Sequence, residues 1–309
     1  MRLFGSPLAV FDTVGGSYFD SGEAGLAADI VDKGYYDLYS AAGISDFYLR
    51  SYPQFDQFIV GTDAGRSWYD ALQAGFRANS NPFRMRFYYT WGKSLDTLST
   101  DGAEFVSPSD SLNPGLNKAF SDFDRNHIIN ISSSFNVPVG RNRRFGTEAP
   151  RFIDWILGDW EVGFLSVWQS GQRFSVSSGR ETLFPGVTSL ADYSGILHNI
   201  GELFYRPDGV YWWDPELQDL FTYPEAGETG TSGRNWFRGP KYFNVDLTFF
   251  KSLQVGDNNR IQIRAEIYNL FNKAHFGVPN SNIFESSFAK FTSTIGTPRM
   301  IQLALRYEF

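Results

Sequence analysis

Residues 301–309 read IQLALRYEF. In an extended chain, Ile301, Leu303, Leu305, Tyr307 and Phe309 share one face. Gln302, Arg306 and Glu308 share the other, with small Ala304 between them. That is a period of two, the signature of a strand with one apolar and one polar face. The same rhythm runs upstream. At 260–271, Ile261, Ile263, Ala265 and Ile267 oppose Gln262, Arg264, Glu266 and Tyr268. At 242–253, Phe243, Val245, Leu247 and Phe249 oppose Asn244, Asp246, Thr248 and Ser252. At 83–92, Phe83, Met85, Phe87, Tyr89 and Trp91 oppose Arg84, Arg86, Tyr88 and Thr90. Residues 66–78, 126–137 and 159–177 repeat it less cleanly, with Ile128, Leu165 and Val167 breaking the polar side.

Each run is about the length of a tilted transmembrane β-strand, roughly 9–11 residues, and longer than an ordinary globular strand of about 5–6. The polar faces carry Arg, Asp, Glu and Asn, which suits a wet lumen behind a lipid-facing wall. A soluble sandwich also alternates, so alternation alone does not choose between them. The connections favour the membrane. Short turns are expected at 79–82, around 138–158 and at 256–259, and long loops at 93–125, 178–241 and 272–298. Outer-membrane barrels alternate short periplasmic turns with long extracellular loops. By this parity the last strand ends at the periplasmic rim. Residues 1–65 read as a loop or the stump of a cut strand, with a hint of one more strand at Phe55, Phe58 and Val60; residues 66–309 hold the barrel strands.

Composition narrows the function classes. Acids outnumber bases 34 to 27, for a net charge of −7, so a basic nucleic-acid footprint is not expected. There is no cysteine, hence no disulfide scaffold, thiolate metal site or cysteine nucleophile. No run reaches the 18 or so apolar residues of a membrane helix. The first twenty residues do not read as a secretory signal; for an exported protein, the signal is expected upstream of them.

Several segments, in order, resemble the C-terminal barrel portion of TonB-dependent outer-membrane receptors. They are YDALQAGFRA (69–78), YTWGKSLD (89–96), DFDRNH (122–127), GDWEVGFLSVWQSGQRF (158–174), GRNWFRGP (233–240), FNVDLTFFKS (243–252), IQIRAEIYNLFNKAHF (261–276) and PRMIQLALRYEF (298–309). The nearest group carries an N-terminal carboxypeptidase-regulatory-like domain. Arg173 stands where that family usually has a proline. The resemblance implies a plug, a TonB-contacting segment and a barrel of about 22 strands, of which this chain holds about seven or eight.

Site residues follow in part from the residues and in part from that likeness. Leu303, Leu305, Tyr307 and Phe309 resemble the terminal signal read by the barrel-assembly machinery; an aromatic interface anchor gives the same pattern. Tyr211, Trp212, Trp213 and Trp236 are the candidate ligand-contact loop, against the plainer reading of a self-packed loop over the barrel mouth. Trp212 and Trp213 beside Asp214 and Glu216 do not fix the carboxylate spacing a glycosidase needs. Asp246, Arg264 and Glu266 face the lumen, to pair there or to meet a plug. Arg234 and Arg238 could face an anion or carboxylates, though a structured return from loop to strand is preferred. Asp122, Asp124 and Asn126 imitate a calcium loop, but His127 and Ser133 stand where its Gly and Glu belong. His127, His198 and His275 lie on separate segments, so no metal site is expected.

The expectation is therefore an all-β protein, an antiparallel transmembrane β-barrel or its C-terminal part, in the bacterial outer membrane. It would be no enzyme and use no cofactor. Its partners would be outer-membrane lipid, the barrel-assembly machinery and TonB. The alternatives are a passive porin or structural barrel, and a secreted soluble carbohydrate-binding β protein.

Overall fold

A computed structural model describes residues 20–25, 65–99, 113–141, 143–148, 150–183, 186–196, 201–255 and 259–309. Its wall is a meander of long strands: β1 (Ser67–Ser80), β2 (Phe83–Asp96), β3 (His127–Asn136), β4 (Trp160–Gln169), β5 (Tyr242–Gln254), β6 (Arg260–Tyr268) and β7 (Met300–Glu308). Each pairs antiparallel with its sequence neighbour, and a two-residue piece, Ala119–Phe120, adds to the far end of β2. Among the described residues, β1 and β7 each have one neighbour in this order, so the sheet is an open arc.

Register decides the faces, because residues directly opposite in an antiparallel pair point the same way. Leu72 meets Trp91, and Phe76 meets Phe87. Phe87 meets Ile131, and Ile129 meets Trp168. Phe164 meets Leu247, Leu247 meets Ile267, and Ile267 meets Ile301. Alternation in each strand therefore adds up to one apolar face across the whole arc. The opposite face carries Arg77 and Arg86, Arg84 and Ser134, Asn130 and Val167, Glu266 and Gln302. A slip of one residue in any pair would exchange the faces, so a belt this continuous fixes the register.

The apolar face is not a packed core. Leu303 is 78% exposed, Leu305 75% and Phe76 58%. A soluble sandwich covers such a face with a second layer; among the described residues no second layer spans it, and the connection after β3 covers it only locally, over Lys251 near the short turns. Patches this large occur on soluble monomers only as interaction surfaces. The apolar face is thus the outward, lipid-facing one, and the polar face points to the lumen. No helix is long and apolar enough to cross a membrane.

The buried core lies elsewhere. The described residues of segments 170–241 and 269–299, both at the long-loop end, fold into one cap around Phe174, Val176, Trp212, Trp213, Phe221, Phe237, Phe288 and Phe291. Short ribbons brace it: Arg173–Phe174 with Phe237–Arg238, Asp192–Tyr193 with Phe221–Thr222, Phe204–Arg206 with Gly209–Tyr211, and His275–Phe276 with Thr294–Ile295. Backbone bonds join the two segments. Trp212 N donates to Ala289 O at 2.8 Å, and Phe291 N to Val210 O at 2.9 Å.

Several boundaries differ from the sequence expectation. The strand expected at 159–177 ends at Gln169. The chain then turns at Gly171, where a Cβ would lie 1.8 Å from Gly239 O; only glycine lets the outgoing and returning segments cross so closely. The strand expected at 260–271 ends at Tyr268, because Asn269 and Asn272 both take φ of 49°. Asparagine tolerates that left-handed region better than most residues. β2 runs on to Asp96, which shortens the first long loop. The expected turn around 138–158 contains a helix, α1 (Arg151–Leu157). Of residues 1–65, only 20–25 and 65 are described. The former lie against the cap: Arg180 Nη1 donates to Ser21 O at 2.6 Å and Gly25 N to Glu181 O at 2.8 Å. The suggested strand at Phe55–Val60, and His198, lie outside the described residues.

Candidate functional site

The cap is fastened to the wall by a charged clamp at the top of β2. Asp96 ends that strand with its side chain 5% exposed, and Arg234 of the cap ion-pairs with it. The same guanidinium donates from Nη2 to Asp96 O at 2.9 Å and from Nε to Asn117 O at 3.1 Å. Its Nη1 is 3.7 Å from Asp122 Oδ1. Next to it, Asn235 donates Nδ2 to Phe120 O at 2.8 Å and also to Asp122.

The second half centres on Asp124, whose side chain is 1% exposed. Its Oδ2 accepts from Arg173 Nε at 3.4 Å and from Arg238 Nη2 at 3.5 Å. Its Oδ1 accepts from Ser94 N at 2.9 Å. The Arg173 guanidinium also sits over Phe120, its Cζ 3.6 Å from the ring centroid, and donates to Trp236 O at 3.0 Å. Burial first, and then the neighbouring Arg238, pull the Arg173 pKa down to about 10, while Asp124 holds it up. Both arginines stay cationic at neutral pH, so the carboxylate between them is what makes their burial tolerable.

This arrangement joins DFDRNH and GRNWFRGP. Asp122 and Asp124 of the first meet Arg234, Asn235 and Arg238 of the second. The calcium-loop likeness therefore has its oxygens committed to protein donors. Asp96 is hard to find from sequence because Lys93 puts a charge on the apolar side and interrupts the alternation; the available signal is Ser94–Leu95–Asp96, which resumes it.

The other candidates are placed as follows. Trp213 is fully buried, Trp212 8% exposed and Tyr211 7% exposed, so these three are cap core and not a displayed ligand surface. Trp213 lies 5.0 Å from Phe221 and 5.5 Å from Phe237, ring centre to ring centre. Trp212 donates Nε1 to Arg238 O at 2.8 Å. Tyr211 donates its hydroxyl to Asp208 at 2.6 Å. Trp236 is the exposed member of the set. Asp214, read beside the tryptophans, accepts from Leu217 N at 2.9 Å and starts a helical turn, Pro215–Gln218.

Asp246, Arg264 and Glu266 all lie on the lumenal face but do not form one cluster. Asp246 accepts from Asn269 N at 2.8 Å and Asn244 Nδ2 at 2.9 Å, pinning the end of β6. Arg264 and Glu266 approach to 4.0 Å along their own strand. Farther toward the short turns, Arg84 pairs with Glu161 at 3.0 Å. At the other end of β7, Leu303, Leu305 and Tyr307 face outward, and Phe309 stacks on Tyr307 with ring centres 6.0 Å apart. Among the described residues no group of three or more His, Asp or Glu could hold a metal ion.

His275 marks a pH-sensitive point in the cap. It is 5% exposed, its ring lies 4.4 Å from that of Tyr242, and neither ring nitrogen has a hydrogen-bond partner among the described residues. Burial, helped by Lys273, lowers its pKa. The folded cap thus favours neutral imidazole. Stability from this source is intact above the free imidazole value of about 6.5 and is lost as pH falls through and below it. Protease cleavage within 269–299 is expected to rise between about pH 7.5 and 5.5, and His275→Phe to flatten that rise. An unchanged profile in the variant would place the acid sensitivity elsewhere.

A family model described as an outer membrane beta barrel domain matches residues 26–302. No curated protein and no solved structure gives a match.

Proposed function

Because the chain belongs to the outer membrane beta barrel domain family, we propose that it is wall and cap of a TonB-dependent receptor in the bacterial outer membrane. It would take a scarce ligand at the long-loop end and pass it through a plugged lumen, without covalent chemistry or a cofactor. First contact would fall on the exposed cap aromatics Tyr205, Trp236 and Phe284. Assembly would use the 303–309 pattern. TonB contact would come from the plug-side segment that the resembling receptors carry.

One observation supports this reading above others: a large cap with its own aromatic core is clamped by buried charges to the access end of the wall. A passive pore has no need of so built a cover, whereas a capture receptor does. The motifs that meet in the clamp are also two of those that carry the resemblance.

The test uses the complete native gene product in a planar lipid bilayer, and its retention on immobilised TonB C-terminal domain from the same organism. The expected result is no steady ion conductance, with retention on TonB. Stepwise conductance without retention would replace this reading with a passive porin.

A further inference from the structure

The connection between β3 and β4 is more than a turn. Residues 137–159 make a Val139–Phe145 bridge and then α1, RFIDWIL. Gly140, at φ 127°, admits Asp154 Oδ1, which would lie 2.6 Å from a Cβ there. A seven-residue helix does not hold by propensity, and α1 has no side-chain cap at its start. It is held at its other end. Trp160 Nε1 donates to Ile156 O at 3.0 Å, and Lys251 Nζ donates to Gly158 O.

Those two anchors fix where α1 lies. Trp160 and Lys251 are direct cross-strand partners on the outward face. Lys251 is 2% exposed, covered by this connection. So the C-terminal end of α1 is pinned to the lipid side of the wall, at the short-turn rim. Yet the helix itself is open. Phe152 is 70% exposed, and Ile153, Trp155, Ile156 and Leu157 are exposed with it, as is the nearby Phe145. Around them stand Arg141, Arg143, Arg144 and Arg151. Arg143 bonds Asp159 at 2.6 Å; among the described residues no carboxylate ion-pairs with the other three.

We propose that residues 141–157 form an interfacial foot that binds anionic phospholipid headgroups of the inner leaflet. The exposed apolar side chains continue the lipid-facing belt, and enter the boundary between acyl chains and headgroups. Trp155 suits that depth, where an amphipathic ring is favoured. The arginines match lipid phosphates in charge and in fork geometry. A soluble protein partner would have to cover a patch that is continuous with a surface already in lipid.

Residues 1–309 hold no cysteine, so within them one engineered cysteine labels one place, and any cysteine elsewhere in the complete protein is first replaced by serine. In the complete protein, reconstituted with phosphatidylcholine and phosphatidylglycerol, a nitroxide is attached at Phe152→Cys or at Phe123→Cys, which is exposed at the long-loop end. At 152, collisions with oxygen should exceed those with a water-soluble nickel chelate; at 123 the order should reverse. Water-like behaviour at 152 would overturn the proposal. In a second arm, Arg141→Gln with Arg144→Gln and Arg151→Gln should lower phosphatidylglycerol retained in native nanodiscs several-fold. The matching triple lysine variant should keep most of it. Equal retention by the glutamine variant would overturn the headgroup assignment, whatever the label reports.

Discussion

Asp124→Ala should release the cap while leaving the wall assembled. Asp124 is the shared partner of two mostly buried guanidiniums, Arg173 and Arg238, and accepts the Ser94 N–H as well. Removing one member of a buried ion pair costs about 3–5 kcal/mol, because the remaining charge is left uncompensated. Here two like charges remain side by side, and each pushes the other out toward water. The cost falls on the local closing equilibrium of the cap, since β2 and β3 keep their ladder and their lipid face. At about 1.4 kcal/mol per tenfold, cleavage within 170–241 by a soluble protease should rise by two orders of magnitude or more. The heat-dependent gel shift of the assembled barrel should not change. Asp124→Asn, which can still accept from Ser94 N, should fall between. A cap that stays resistant in Asp124→Ala would show that the Arg234–Asp96 half of the clamp and the aromatic core hold it down without Asp124.

The wall was legible in the sequence because its signal is local. A strand announces itself in nine or ten residues through period two, and all seven runs read this way became β1 to β7. Their ends were less legible. Whether alternation continues past Gln169 depends on Gly239, which is far along the chain. The clamp was half legible. DFDRNH and GRNWFRGP stood out as motifs, but Arg234 and Asp96 are 138 positions apart, and no local pattern pairs them. The cap aromatics show a different limit. Eleven aromatic residues in a loop look the same whether they are displayed to a ligand or packed on one another. What decided it was the second loop, 269–299, which supplies Phe288 and Phe291 and turns Trp212 and Trp213 into core. α1 was hidden by its shortness, since a short apolar run fits a strand or a helix equally well. Pro150 before it and Gly158 after it were the usable punctuation.

The orientation of the wall sets the second large effect. Leu303 is 78% exposed on the outward face and sits opposite Ala265; Gln302, its chain neighbour, sits opposite Glu266 on the lumenal face. An arginine on the lipid face near the midplane costs about 2–4 kcal/mol, because its charge must reach through hydrocarbon or draw water in. In the lumen the same side chain meets water and, beside Glu266, a carboxylate. Leu303→Arg should therefore lower the stability of the folded barrel in phospholipid vesicles, read by reversible denaturant unfolding, by about 2–4 kcal/mol. Gln302→Arg should change it by well under 1 kcal/mol, within the range of exposed charge pairs. In detergent micelles, which yield around a snorkelling side chain, the gap between the two should narrow. The contrast is demanding because the substitutions are one residue apart and share a backbone, a strand and a β6 neighbour. Only the face differs. Equal effects in vesicles would mean that the face carrying Leu303, Leu305 and Tyr307 does not meet lipid, and the lumen assignment of Asp246, Arg264 and Glu266 would fall with it.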